Sequence, residues 1–201
     1  MWSQLNTGQV KLHQRFGQLI EQFASDPAYT RYLEVGSWNG RGSTICFASG
    51  FSKRPLGTHL LKSFEINPER VDESKSFWVI NPHVEIIHGR ILPSLPDVRR
   101  IHSNVNESWQ AEDARCFESS PYVDVTSFKP EVVLLDGGEY ITYFEYELLE
   151  PMVDVFLLDD TGSEKCRRIF QELSVNSNWK LVEKGDDRNW WAVFQRLKQS
   201  S

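Results

Sequence analysis

Two apolar runs in this chain end in acids. Val132-Val133-Leu134-Leu135 leads into Asp136-Gly137-Gly138-Glu139-Tyr140, and Phe156-Leu157-Leu158 leads into Asp159-Asp160-Thr161. As neighbouring parallel strands, the two runs would open their carboxyl ends on one crevice, where open α/β sheets bind ligands. Asp136, Asp159 and Asp160 would then converge. Unit like charges about 4 Å apart repel by roughly 4 kcal/mol at an effective dielectric of 20. The trio therefore calls for a cation or for protonation of one member. Donors that are all oxygen select a hard ion, Mg²⁺ first, with positions left open for water or substrate. The plainer alternative makes Asp160 a helix cap and Asp136 a turn residue. Successive strand residues point to opposite faces, so Asp159 and Asp160 share one ion only if the strand ends there.

A second constellation lies earlier. Tyr32-Leu33-Glu34-Val35-Gly36-Ser37-Trp38-Asn39-Gly40-Arg41-Gly42-Ser43-Thr44 reads as strand, glycine-rich turn and helix start. Glycines let a backbone turn sharply and come close to a ligand. The spacing is Gly36-x-x-x-Gly40-x-Gly42, not the G-x-G-x-x-G of dinucleotide enzymes. Glu65 ends the next apolar run, 29 residues after Gly36. An acid in that place can accept hydrogen bonds from two ribose hydroxyls.

The positioning elements follow from periodicity. Val10, Leu12, Phe16, Leu19, Ile20 and Phe23 recur at helical spacing, which predicts a helix over 9–25, ended by Asp26-Pro27. Short Val/Ile/Leu-rich runs at 32–35, 60–66, 84–87, 132–135 and 153–158 predict buried parallel strands. Candidate helices lie between them at 41–50, 68–79, 91–101, 139–150 and 163–175. Runs at 179–182 and 190–194 flank a turn-like Lys184–Arg188 and predict an antiparallel hairpin at the sheet edge. Residues 103–128 are polar and aperiodic, the pattern of an insertion, mobile loop or lid.

The 201 residues suit one α/β domain spanning 1–201, with 1–30 as an N-terminal helical extension. A net charge of −6 argues against a nucleic-acid partner. No apolar stretch approaches the roughly 20 residues of a membrane span, and the N-terminus lacks the apolar core of a signal peptide. Cys46, Cys116 and Cys166 are odd in number and widely spaced, which fits reduced thiols and a cytoplasmic location.

The glycine loop resembles motif I of class I S-adenosylmethionine (SAM)-dependent methyltransferases, E/D-x-G-x-x-x-G. With the βα alternation and the terminal hairpin, this resemblance implies a Rossmann-like seven-stranded sheet of order 3-2-1-4-5-7-6. Strand 7 is antiparallel in that fold, and helices cover both faces. It implies SAM as cofactor, with Gly36, Ser37, Gly40 and Ser43 around its methionine part. Glu34 would orient the loop or hold the ammonium group through water. Glu65 would take the ribose, with Gly89 and Asp136 completing the site.

Asp136-Gly137-x-x-Tyr140 and Asp159-Asp160 resemble the D-G-x-x-Y and D-D pieces of macrocin-type sugar O-methyltransferases, relatives of the metal-dependent catechol-type enzymes. The stretch from Gly89 to Leu95 is similar to their G-x-F-x-x-T-L segment. This resemblance implies Mg²⁺ or another divalent cation held by Asp136, Asp159 and Asp160. The metal would bind two adjacent acceptor oxygens and acidify one, with Asp136 or Glu139 as base. The chain departs from the pattern in four places. Arg90 stands where many members have an acid near the adenine. Glu139 replaces the catechol-type lysine. Gly138-Glu139 replaces a common Asp-His. Glu150-Pro151-Met152 replaces a Pro-Gly-Gly turn. His88 reads as a packed or capping residue.

The expectation is a metal-assisted O-methyltransferase acting on a sugar, glycan or other vicinal diol. The alternatives are a metal-independent methyltransferase on a nitrogen or phenol, and a catalytically silent SAM-binding subunit. Small molecules or glycans are the expected partners, and a homodimer is left open.

Overall fold

The computed structural model describes residues 2–55, 57 and 59–198. A short helix α1 (Trp2–Leu5) and α2 (Arg15–Ser25) precede the sheet. β1 (Arg31–Val35), α3 (Ser43–Phe51), β2 (Leu60–Glu65), α4 (Pro68–Trp78) and β3 (Val84–His88) form the first half. After α5 (Glu107–Ser119) come β4 (Val132–Leu135), α6 (Thr142–Leu149), β5 (Val155–Asp159), α7 (Arg167–Val175), β6 (Trp179–Gly185) and β7 (Trp191–Arg196). The seven strands lie in the order β3-β2-β1-β4-β5-β7-β6, as expected. β7 runs antiparallel to both β5 and β6, and the other neighbouring pairs are parallel.

β4 shows why such strands read as continuous apolar runs. Val132 and Leu134 join the core layer with Phe16, Phe47 and Trp191, while Val133 and Leu135 join the opposite layer with Phe156, Tyr146 and Phe194. Both faces of the strand are buried, so polar alternation disappears. The α2 face carrying Phe16, Leu19, Ile20 and Ala24 is buried, and Phe16 stacks on Trp191 with ring centroids 5.3 Å apart. α4 starts at Pro68, a residue suited to the first helical position, and the Asn67 side chain caps Glu69 N–H at 3.0 Å.

The helix expected over 9–25 begins only at Arg15, and two further expectations fail. The helix expected over 91–101 is absent, apart from one 3₁₀ turn at Val98–Arg100. Pro93 and Pro96 interrupt that stretch, each removing a donor and pushing the preceding residue out of the helical region. Conversely, the expected loop at 103–128 contains the 13-residue helix α5. Asn106 caps it by accepting from Ser108 and Trp109 N–H, Glu107 sits favourably in its first turn, and Cys116 and Phe117 are buried. The chain after it is tied down as well: Tyr122 bridges Arg90, and Val125 is buried in the core.

Candidate functional site

The carboxyl ends of β1, β2, β4 and β5 open on a pocket whose floor is the glycine loop. Gly36 has φ +88°, and a Cβ there would lie 2.0 Å from the Asp136 carbonyl oxygen. The Gly36 and Ser37 N–H groups donate to Phe64 O at 2.9 and 3.1 Å, which locks the turn between β1 and β2. The Ser37 hydroxyl lines the pocket, buried and, among the described residues, without a partner. Burying such a group costs about 1–3 kcal/mol, which a polar ligand would recover. Ser43 also lines the pocket.

Glu34 and Gly40 lie behind the loop instead of on the pocket wall. The Glu34 carboxylate is fully buried and accepts from the hydroxyls of Ser43 (2.6 Å), Thr44 (2.7 Å) and Ser63. Burial outweighs these bonds and pushes its pKa up to about 7. Gly40 abuts α4, and its carbonyl accepts from Trp78 Nε1 at 2.9 Å.

Glu65 does line the pocket. Its carboxylate accepts from Trp38 N–H at 2.8 Å and Asn67 N–H at 2.9 Å, so the loop and the acid hold each other. Burial raises its pKa, opposed by those bonds and by Arg70. Arg70 in turn lies 4.9 Å over the ring of Trp38, a half-exposed side chain at the pocket edge.

The far wall is built by Gly89, Ile91 and α5. Arg90, the residue that departs from the family pattern, turns away to donate to the carbonyls of Phe117, at 3.3 Å, and Ser120. A cation there satisfies the last carbonyls of α5 and so holds that helix against the pocket. α5 contributes Glu112 and Asp113, which sequence reading missed along with Glu145 of α6. Burial pushes Asp113 up to about 6 and Glu145 up to about 8, and among the described residues Glu145 Oε2 has no hydrogen-bond partner. The N-terminus closes another side. Asn6 donates to the carbonyls of Arg41 (3.0 Å) and Gly42 (3.1 Å), which places Gln9 and Val10 on the wall above α3.

The aspartates are arranged differently from the expected metal site. Lys165 Nζ lies 2.7 Å from Asp136 Oδ1 and 2.7 Å from Asp160 Oδ2, between the two. Asp159 is fully buried and pairs instead with Arg188, 2.6 Å from its Oδ2. The strand does end there: Asp160 takes φ +57°, a left-handed bend that sends it toward Lys165 while Asp159 faces Arg188. Burial would lower the Lys165 pKa, but Asp136 and Asp160 outweigh it and keep the ammonium charged. Burial, then Asp136, pushes Asp159 up to about 7. Among the described residues no group of three or more His, Cys, Asp or Glu is arranged to hold a metal ion. The residues therefore do not fit a divalent cation on Asp136, Asp159 and Asp160. Glu139 is also displaced: it accepts from Glu164 N–H at 2.9 Å and Ser163 Oγ at 3.3 Å, off the pocket wall. Of the two expected bases only Asp136 lines the pocket. Cys46, Cys116 and Cys166 are free and buried, and among the described residues no helix is long and apolar enough to cross a membrane.

No family model and no curated protein matches the sequence. Solved structures do match. The O-methyltransferase from Bacillus cereus in complex with S-adenosylhomocysteine (SAH) has 13% identity and a TM-score of 0.59, covering 97% of this chain and 87% of that one. Cofactor-bound Rv0187 from MTB has 15% identity and a TM-score of 0.60, covering 97% and 86%. The SAH-bound methyltransferase PaMTH1 of Podospora anserina has 12% identity and a TM-score of 0.55, covering 90% and 78%. The chain has the class I methyltransferase fold, Rossmann-like, with its seven strands in that order.

Proposed function

We propose that the chain is a SAM-dependent methyltransferase that methylates an oxygen of a small molecule without a divalent metal. The observation that carries this reading is the pocket floor. Gly36 packs so closely on Asp136 that the loop presents the orphaned Ser37 hydroxyl and the Glu65 carboxylate to one space. Three structural neighbours are described as cofactor- or SAH-bound, which supports the same ligand here.

SAM would supply an electrophilic methyl carbon on a sulfonium. This chain's residues would hold and orient it: Ser37 takes a polar group of the methionine part, and Glu65 takes ribose hydroxyls with its remaining lone pairs. Asp136 sets a negative potential at the pocket edge. Asn6 closes the N-terminal strap over the loop, which excludes water from the methionine side. Much of the rate would come from holding acceptor and methyl carbon in line, worth roughly 7–11 kcal/mol in well-oriented systems. The expectation of a vicinal diol rested on chelation by a metal. With Lys165 between Asp136 and Asp160 that basis is gone, and the acceptor needs only one oxygen.

Calorimetry with SAH tests the reading, and saturable binding with one site per chain is expected. Glu65→Ala should weaken it by about 1.5–3 kcal/mol, the range for a hydrogen bond to a charged group. Unchanged affinity would assign Glu65 to the loop alone, and no SAH binding by the parent protein would remove the proposal. Asn6→Ala should speed SAH release several-fold while leaving the melting temperature within a few degrees. A release rate equal to wild type would show that the N-terminal strap is no part of the site.

A further inference from the structure

Three carboxylates, Asp136, Asp159 and Asp160, meet two cations, Lys165 and Arg188, at the end of β5. The group carries a formal charge of −1, which a singly charged ligand balances and a divalent ion overshoots. The Lys165 side chain is only 13% exposed and lines the ligand pocket. It stands where an ion bridging Asp136 and Asp160 would stand. To enter, a metal would have to expel a buried ammonium from two charge-assisted hydrogen bonds. Breaking such a buried pair is strongly unfavourable. An ammonium has three N–H groups; two are taken by the aspartates, which leaves one for an atom in the pocket.

We propose that Lys165 is the resident cation of this site, replacing a divalent metal between Asp136 and Asp160 and offering its remaining N–H to a single acceptor oxygen. The arrangement differs from a lysine placed beside a metal, because here the ammonium and the metal compete for the same carboxylates. The inference rests on the methyltransferase reading for the word acceptor. The competition for Asp136 and Asp160 does not.

Mn²⁺ alone is the probe, read by the electron paramagnetic resonance of the free ion and so independent of activity. The full-length wild-type protein is expected to show no saturable Mn²⁺ binding up to millimolar concentration. Lys165→Ala or Lys165→Met should create a site at least tenfold tighter, and adding Asp136→Asn should remove it again. Lys165→Arg keeps the charge and should stay metal-free. Saturable micromolar Mn²⁺ binding by wild type would overturn the proposal, and that single measurement decides even if the variants fail to fold. Folded Lys165→Ala and Lys165→Met proteins that bind Mn²⁺ no better than wild type would overturn it too. SAH titration of the same samples separates the two readings. Absence of SAH binding by the wild-type protein with the metal result intact would remove the methyltransferase, not the built-in cation.

Discussion

Gly36→Ala should abolish measurable SAH binding, weakening it at least a hundredfold, and should lower the melting temperature by about 6–12 °C. Gly36 sits at φ +88°, where a side chain costs roughly 1–2 kcal/mol. The added Cβ would also meet the Asp136 carbonyl at 2.0 Å. A backbone atom cannot rotate away as a side chain can, so β1 and β4 must part at their carboxyl ends. Overpacking of that kind adds about 1–3 kcal/mol, and a domain of this size loses roughly 2–4 °C per kcal/mol. The same shift moves the Ser37 hydroxyl and the loop amide held by Glu65, which is why binding should suffer more than stability. Thermal melts and calorimetry on one preparation check both halves. A variant that binds SAH within threefold of wild type would show that the close approach is incidental.

The parts of this site that were legible in the sequence are those fixed by local chain geometry. The glycine spacing and the interval to Glu65 are consequences of one strand-turn-helix-strand unit, so they survive without an alignment. The strands were legible because burial on both faces leaves uninterrupted Val, Ile and Leu, as in β4. What failed depends on contacts between distant segments. α5 buries only Cys116 and Phe117 and faces the pocket with acids, so its helical period was masked; Asn106-Glu107 was the one local signal. Glu139 has a backbone partner, Glu164 N–H, that no spacing announces. Lys165 reaches Asp136 from a loop 29 residues away. Charge balance was the available clue: three acids brought together need cations, and Lys165 and Arg188 lie in the loops that follow β5 and β6. A divalent ion and the pair Lys165 and Arg188 answer the same electrostatic demand, so the repulsion argument calls for positive charge without choosing its source.

The ligand-free protein should be less stable at pH 9 than at pH 6, and Glu145→Gln should remove a large part of that loss. Glu145 and Glu34 are buried, and burial pushes their pKa values from the ordinary 4.5 up to about 8 and about 7. Each is favoured in its neutral form by the fold. Between pH 4.5 and 8 the native state therefore holds protons that the unfolded chain has released. The stability they contribute is fully present below about 4.5 and is lost as pH rises through about 7 and then 8. Asp159, pushed to about 7, acts in the same direction. His59, lowered by burial to about 4, acts oppositely on the acid side: its contribution is present above 6.5 and is lost as pH falls toward 4. The melting temperature should accordingly peak near pH 4.5, because between there and pH 6.5 the three raised acids outweigh the single histidine. Ionising Glu145 at pH 9 strands a charge whose Oε2 has no partner. One pKa unit corresponds to 1.36 kcal/mol, and after allowance for water entering the pocket the cost is on the order of 2 kcal/mol. Glutamine keeps the shape and cannot ionise. Glu145→Gln should melt about 4–8 °C above wild type at pH 9, and within about 2 °C of it near pH 4, where Glu145 is protonated in the folded chain and largely so in the unfolded one. Scanning calorimetry at half-unit steps from pH 4 to 9 reads the difference directly. Parallel curves for the two proteins would mean that Glu145 is already ionised in the native fold, and that the pocket holds a cation or a water path able to stabilise it.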